Sequence, residues 1–272
     1  NPFVDAETTR AVAKRLRVSL LRCYRRDLRD LRRRVTFKHT SDILDDLQSK
    51  VEAAMLHPDS HPLNPNDLLA PLSEVADLVS THYNGLYLDS IRLFQFKVRL
   101  FGMHFASIDV RQDSRVLKAA RNEVLDACWP GGSEAFESLS MEQRVKELLT
   151  WTPSLTGELI EERHRDVLHS LTAMRDIQRS NGKKACHRYI ISNCRGGEDV
   201  AGVLFMARAA GWTEELHLDV VPLFETIDDL AQAKKEMGWL YEQPEYRQYL
   251  KSRGDRQTIM LGFSDGTKDG GY

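Results

Sequence analysis

Four short apolar runs in the second part of the chain constrain its fold more than any other sequence feature. The segments between these runs have the periodicity of amphipathic helices. Alternating strands and helices predict a parallel sheet, whose strands are continuously apolar because helices cover both of its faces. The predicted strands are residues 104–111, 188–193, 217–225 and 258–265. The intervening helices are predicted at 113–128, 140–150, 166–180, 198–210, 227–241 and 244–253.

The first hundred residues carry only helical periodicity. Helices are predicted over residues 8–34, 41–55, 65–80 and 86–101. We expect one region, 1–272, made of a helical part, 1–101, and a partial barrel, 102–272. The first helix carries ten arginines and Lys14. Two interpretations fit this helix: a face that binds anions or nucleic acid, or a solvated face whose arginines pair with acidic residues elsewhere, which the nearly neutral total favours.

Composition excludes several classes of protein. The chain has 38 basic and 40 acidic side chains and a formal net charge of −2, so it is not a polycation that binds nucleic acid through bulk charge. Its apolar runs are far shorter than a bilayer span, which predicts no transmembrane helix. Its four cysteines have no CxxC spacing, as is typical of reduced thiols. We expect a cytoplasmic protein with neither nucleic-acid nor membrane partners.

Polar and charged side chains follow the predicted strands. Reading along the carboxyl ends of the strands gives Arg111, Ser192 with Asn193, Glu225, and Asp265 followed by Lys268. In parallel α/β folds, binding and catalytic residues lie at these ends of the strands. Two carboxylates with open positions suit Mg²⁺ or Mn²⁺, and an arginine with a lysine suits an anionic substrate. The pattern predicts a metal-assisted reaction on a phosphorylated or carboxylated small molecule.

Three sequence segments resemble one enzyme family. Residues 107–114, Ser-Ile-Asp-Val-Arg-Gln-Asp-Ser, are similar to the Asp-Ile-Arg-Gln-Glu-Ser segment of bacterial and plant phosphoenolpyruvate carboxylase. Residues 220–230 resemble its Pro-Leu-Phe-Glu-Thr-Leu-Asp-Asp-Leu segment. Residues 259–271 resemble its Met-x-Gly-Tyr-Ser-Asp-Ser-x-Lys-Asp-Ala-Gly signature, with Phe263, Gly266 and Gly270 as mild departures. Leu117 stands where that family usually has a histidine.

The resemblance implies a (β/α)₈ barrel of the TIM type with many extra helices, of which this chain holds about four strands. The implied reaction joins phosphoenolpyruvate and bicarbonate to give oxaloacetate and phosphate, with Mg²⁺ or Mn²⁺ as cofactor. Glu225 and Asp265 match the metal-binding carboxylates of the family. Arg111 and Lys268 match its catalytic and substrate-binding cations. The resemblance also implies a cytoplasmic homotetramer as the parent enzyme.

The same resemblance predicts that the chain is an internal fragment. The segment with the family's catalytic histidine is expected before Asn1, where the sequence begins without Met, and the glycine-rich arginine loop is expected after Tyr272. We therefore expect the isolated chain to be inactive. Two alternatives remain open from sequence: another metal-dependent TIM-barrel enzyme acting on phosphoenolpyruvate or pyruvate, and a non-catalytic helical interaction module.

Overall fold

A computed structural model describes residues 4–58, 60–155, 161–212 and 217–262. The chain divides into two compact units. The helical unit comprises Arg10–Ser107 and Asp176–Ala185. The sheet unit comprises Asn1–Thr9, Ile108–Arg175 and Cys186–Tyr272.

Four long helices precede the first strand: α1 (Ala6–Arg34), α2 (Thr40–Leu56), α3 (Pro65–His82) and α4 (Leu88–Phe101). Their apolar stripes form the core of the helical unit, in which Tyr24 packs edge-on against Phe94. The buried Tyr24 hydroxyl donates a 2.8 Å hydrogen bond to the carbonyl of Gly102, so its polar end is satisfied. Asn64 begins α3 with a capping box, as its side chain accepts from the backbone N–H of Asp67.

The described part of the sheet unit contains four parallel strands in the order β1-β2-β3-β4. The strands are β1 (Asp109–Asp113), β2 (Arg188–Ser192), β3 (Asp219–Phe224) and β4 (Met260–Leu261). The remaining helices are α5 (Ser114–Cys128), α6 (Gly132–Glu137), α7 (Met141–Thr150), α8 (Glu162–Asn181), α9 (Gly197–Ala209), α10 (Ile227–Glu242) and α11 (Pro244–Ser252). A 3-10 turn, Lys183–Ala185, leads into β2. The predicted α/β fold with parallel strands is confirmed, and it is consistent with part of a TIM-type barrel.

The first predicted strand, 104–111, is wrong in its bounds. Gly102 and Phe105 have φ angles of 53° and 67°, so the chain turns where the sequence favours an extended run. The strand begins at Asp109, and Arg111 therefore lies in the middle of β1 rather than at its end. The short helix α6 was not predicted, because six residues give too little periodicity to detect.

Two helices of the sheet unit begin at capping residues that can be read from the sequence. Ser140 and Gln143 have the Ser-x-x-Gln spacing of a capping box, and they form one at the start of α7. Thr226 is the N-cap of α10, a position at which threonine is favoured. No helix in the described part of the chain is both long enough and apolar enough to cross a membrane.

Candidate active site

An arginine–glutamate ion pair lies on the face of the sheet near its carboxyl end. The Nη2 of Arg111 donates to Oε1 of Glu225 at 2.8 Å, although 114 residues separate them in sequence. The side chain of Arg111 is 51% exposed and that of Glu225 is 20% exposed. The pair therefore joins an accessible cation to a more enclosed carboxylate.

Sheet register explains why these two residues meet. Arg111 is paired with Ile190 in β2, and Ile190 is paired with Val221 in β3. Residues paired in a parallel sheet share a face, so Arg111 points to the same side as Val221 and the alternate residues beyond it. Glu225 follows Phe224, the last residue of β3, on that side. The long arginine side chain spans the width of β2 to reach it.

The backbone that follows Glu225 is anchored by side-chain hydrogen bonds. Thr226 begins α10 with a capping box: its hydroxyl accepts from the N–H of Asp229 at 3.1 Å, and the Asp229 carboxylate accepts from the N–H of Thr226 at 3.3 Å. Asp229 also accepts a 2.8 Å bond from Arg195. These contacts fix the direction in which the chain leaves β3 and therefore the position of the Glu225 carboxylate.

Gly262 packs directly against the backbone of Glu225. Its N–H donates to the carbonyl of Phe224 at 2.8 Å. A Cβ at this position would lie 3.1 Å from the Cα of Glu225 and 3.2 Å from the carbonyl oxygen of Phe224. Because both distances are tighter than usual Cβ contacts, glycine allows the end of β4 to approach Glu225 closely. Sequence reasoning did not predict this contact.

The strand end of β1 carries an acidic residue that sequence reasoning did not single out. Asp113 is the N-cap of α5, and its carboxylate accepts from the N–H of Arg115 at 2.9 Å. The Arg115 guanidinium donates to the same carboxylate and holds the pKa of Asp113 below its usual range. An aspartate just before a helical pattern is an N-cap signal, and it predicts this structural role.

The polar residues after β2 also bind the backbone near this site. Ser192 donates through its hydroxyl to the carbonyl of Gln112 at 3.3 Å. The carbonyl of Asn193, a residue with a φ of 54°, accepts a 2.6 Å bond from the Ser114 hydroxyl. These contacts join the carboxyl ends of β1 and β2, and they give both residues a structural role.

Two of the four predicted site residues, Asp265 and Lys268, lie outside the described residues. Within the described residues, no group of three or more His, Cys, Asp or Glu side chains is placed to hold a metal ion. Of the two carboxylates predicted to bind the metal, Glu225 is the one that lies within the described residues. One of its oxygens accepts from Arg111, which leaves the other as a donor of the hard type that Mg²⁺ and Mn²⁺ prefer.

The parallel strands with helices between them place the chain in the α/β class of proteins, consistent with part of a TIM-type barrel. An ion pair lies near the carboxyl ends of these strands, where α/β proteins carry their functional sites. Comparison with known sequences defines the family. The profile of the phosphoenolpyruvate carboxylase family matches residues 3–272. The chain therefore belongs to the phosphoenolpyruvate carboxylase family, as its motifs predict.

The chain is also similar to individual phosphoenolpyruvate carboxylases. Phosphoenolpyruvate carboxylase of Gloeobacter violaceus is 34% identical over 215 residues, which cover 76% of this chain and 23% of the relative. That of Mycobacterium leprae is 33% identical over 261 residues, covering 92% of this chain and 27% of the relative. That of Rhodopseudomonas palustris is 29% identical across 100% of this chain and 34% of the relative. The chain thus spans about a quarter to a third of the length of these relatives.

Proposed function

We propose that this chain supplies the metal-binding and phosphate-binding rim of an enzyme that carboxylates phosphoenolpyruvate. The reaction combines phosphoenolpyruvate with bicarbonate and releases oxaloacetate and phosphate. The observation that carries the proposal is the Arg111–Glu225 pair, since it places an accessible cation beside a hard carboxylate donor in a chain of this family. A helical interaction module needs no such pair.

Glu225 and Asp265 are the residues proposed to hold Mg²⁺ or Mn²⁺. Glu225 fits this role through its free carboxylate oxygen and its anchored backbone. A bound divalent ion supplies Lewis-acid stabilisation of the negative charge that develops during the reaction. Gly262, at the end of β4, packs against Glu225. Asp265 lies three residues after Gly262 in sequence, which supports a metal site that Asp265 shares with Glu225.

Arg111 is proposed to bind the phosphate of phosphoenolpyruvate. A guanidinium group has five N–H donors in a planar fork, and Glu225 receives one bond from Nη2. Because half of the side chain is exposed, donors remain for a substrate phosphate. The pair with Glu225 fixes the direction of the fork before substrate binds, which lowers the entropic cost of binding.

The proposed chemistry transfers the phosphoryl group to bicarbonate. A bicarbonate oxygen attacks phosphorus and the bond from phosphorus to the enol oxygen breaks, which gives carboxyphosphate and an enolate. Loss of phosphate from carboxyphosphate delivers carbon dioxide, and the enolate carbon attacks it to form oxaloacetate. Arg111 stabilises charge on the transferred phosphoryl group, and we assign Lys268 to the same anionic substrate.

The test uses the complete protein that carries this sequence. Oxaloacetate is measured by coupled malate dehydrogenase with bicarbonate and Mg²⁺ each present or withheld. We expect product only when both are present, and a loss of about a hundredfold or more in kcat/KM for Glu225→Gln and Asp265→Asn. Asp228→Asn is the matched control, because Asp228 is an exposed carboxylate three residues from Glu225. Full activity in Glu225→Gln and Asp265→Asn overturns the metal assignment, and bicarbonate-independent turnover overturns the reaction.

Assembly as a homotetramer and location in the cytoplasm stay predictions from the family resemblance. Analytical ultracentrifugation of the complete protein tests the first. Fractionation of the source cells tests the second.

A further inference from the structure

A cavity of about 600 Å³ lies within the helical unit. Its walls come from the amino-terminal part of α1, the loop before α3 and the carboxyl-terminal end of α8. Four basic side chains line it, namely Arg10, Lys14, Arg17 and Arg179. Asp176 is its acidic lining residue. A volume of this size is typical of sites for small molecules.

Arg17 is the most unusual residue of this cavity. It is only 5% exposed, and its guanidinium donates to two backbone carbonyls, those of Ser180 and Leu63. Among the residues that the structure describes, its Nε–H has no hydrogen-bond partner and no carboxylate forms an ion pair with it. Burial lowers the pKa of Arg17 below its usual range, although the group stays charged at neutral pH. A buried charge with an unused donor is costly unless an anion compensates it.

The other basic residues leave the cavity with an excess of positive charge. Arg10 is neutralised by Asp176, to which its Nε and Nη2 donate at 3.2 and 3.0 Å. Lys14 and Arg179 are exposed, and neither forms an ion pair with any residue in the described ranges. With Arg17, these two side chains give three cations around one concavity that no carboxylate of the described ranges compensates.

We propose that this cavity binds a small phosphorylated molecule. A phosphate monoester carries a charge of about −1.5 to −2 at neutral pH and three acceptor oxygens, which match a buried guanidinium and flanking cations. A concave site of this volume fits a small molecule better than a duplex or a membrane surface. The proposal concerns the helical unit and does not rest on the carboxylase reaction.

Isothermal titration calorimetry of the full 272-residue chain with inorganic pyrophosphate tests the proposal. The buffer contains no divalent cation and 150 mM chloride, so that weak surface attraction is screened. We expect one-site binding that weakens about three- to tenfold in Lys14→Gln and in Arg179→Gln. Arg15→Gln is the matched control, because Arg15 is exposed on the same helix but does not line the cavity. Its affinity is expected to equal that of the unmodified chain.

Two further variants locate the site. Arg111→Gln is expected to bind pyrophosphate normally, since Arg111 belongs to the sheet unit. Arg17→Met removes the buried guanidinium and is expected to abolish binding; circular dichroism shows whether it folds, and the Lys14 and Arg179 variants decide if it does not. Absence of binding, or equal weakening by Arg15→Gln, overturns the proposal. Loss of binding in Arg111→Gln alone assigns the anion to the candidate active site instead and also overturns it.

Discussion

The guanidinium of Arg111 in β1 and the carboxylate of Glu225 after β3 are joined at 2.8 Å across the width of β2. The cation proposed for substrate is therefore hydrogen-bonded to the carboxylate proposed for the metal. A metal ion and Arg111 would both draw on the same carboxylate charge, so a change at one residue affects the other.

This coupling predicts opposite effects of Arg111→Gln on metal binding and on turnover. Removing a cation beside Glu225 is expected to tighten Mn²⁺ binding to the 272-residue chain about threefold. In the complete protein the same change is expected to lower kcat/KM about a hundredfold, because the substrate phosphate loses its partner. Electron paramagnetic resonance of free Mn²⁺ measures the first effect, and the coupled assay measures the second.

Two further variants serve as references in the Mn²⁺ experiment, namely Glu225→Gln and Arg247→Gln. Glu225→Gln is expected to weaken binding, while Arg247→Gln, which removes an exposed cation of α11, is expected to change it little. If Arg111→Gln weakens Mn²⁺ binding as strongly as Glu225→Gln does, Arg111 positions the carboxylate rather than competing for it.

Gly262→Ala is expected to lower activity by displacing Glu225. The new methyl group would sit 3.1 Å from the Glu225 Cα, so the strand end must move by a few tenths of an ångström. We expect a loss of about tenfold in kcat/KM in the complete protein, with a destabilisation of about 1–3 kcal/mol. Coupled turnover and urea unfolding measure the two quantities.

Gly238→Ala is the matched control for Gly262→Ala. Gly238 lies inside α10, and an added Cβ there would have no atom of the described residues within 4 Å. Alanine in a helix interior is expected to stabilise the sheet unit by about 0.5–1 kcal/mol without changing turnover. Equal activity losses in both variants would show that the effect of Gly262→Ala is not specific to the approach of β4 to Glu225.

Much of the fold is predictable because its signals are local. Helical periodicity and capping residues predict α7 and α10 within two residues at each end. The start of β1 is not predictable in this way, since it depends on a left-handed φ at Phe105, a conformation that side chains of this type rarely adopt. Because the chain turns between Gly102 and Phe105, the strand starts later than predicted, and Arg111 lies in its middle.

The site is less predictable than the fold. Sequence reasoning expected Arg111 and Glu225 near one rim, but their direct bond depends on the register of three strands and on side-chain length. The contacts of the arginines in α1 are also not predictable from the sequence. Arg25 pairs with Glu52 at 2.7 Å, as the solvated-face interpretation predicts, whereas Arg17 is buried against carbonyls. Helical spacing alone does not separate these two arginines.

Glu198→Gln is expected to destabilise the sheet unit only above acidic pH. Burial would raise the pKa of Glu198, but Arg121 at 2.6 Å and Arg144 at 2.8 Å outweigh it and hold this pKa below its usual range. A depressed pKa stabilises the fold above the unfolded-state pKa, and this stabilisation is lost as pH falls through the folded-state pKa. We expect a cost of about 2–3 kcal/mol at pH 7 that shrinks as the pH falls below the ordinary glutamate pKa and disappears below the lowered pKa of Glu198.

The four tryptophans of the chain all lie in the sheet unit, so their fluorescence during urea unfolding reports this cost. Asp199→Asn gives the opposite sign as an internal control. Burial raises the pKa of Asp199, so its charge opposes folding at neutral pH, and the asparagine variant is expected to be more stable there. A Glu198→Gln cost that stays constant with pH contradicts the assignment to the carboxylate charge.

Thr226→Ala is expected to loosen the chain directly after Glu225. Its hydroxyl caps α10 by accepting from the N–H of Asp229, so the alanine variant leaves that donor without its partner. Loss of an N-cap costs about 1 kcal/mol, measured by urea unfolding of the 272-residue chain. Because Glu225 lies one residue away, kcat of the complete protein is expected to fall as well. Thr226→Ser keeps the hydroxyl and is expected to restore both stability and kcat, so an equally impaired serine variant would mean that the methyl group, and not the cap, holds this end of β3 in place.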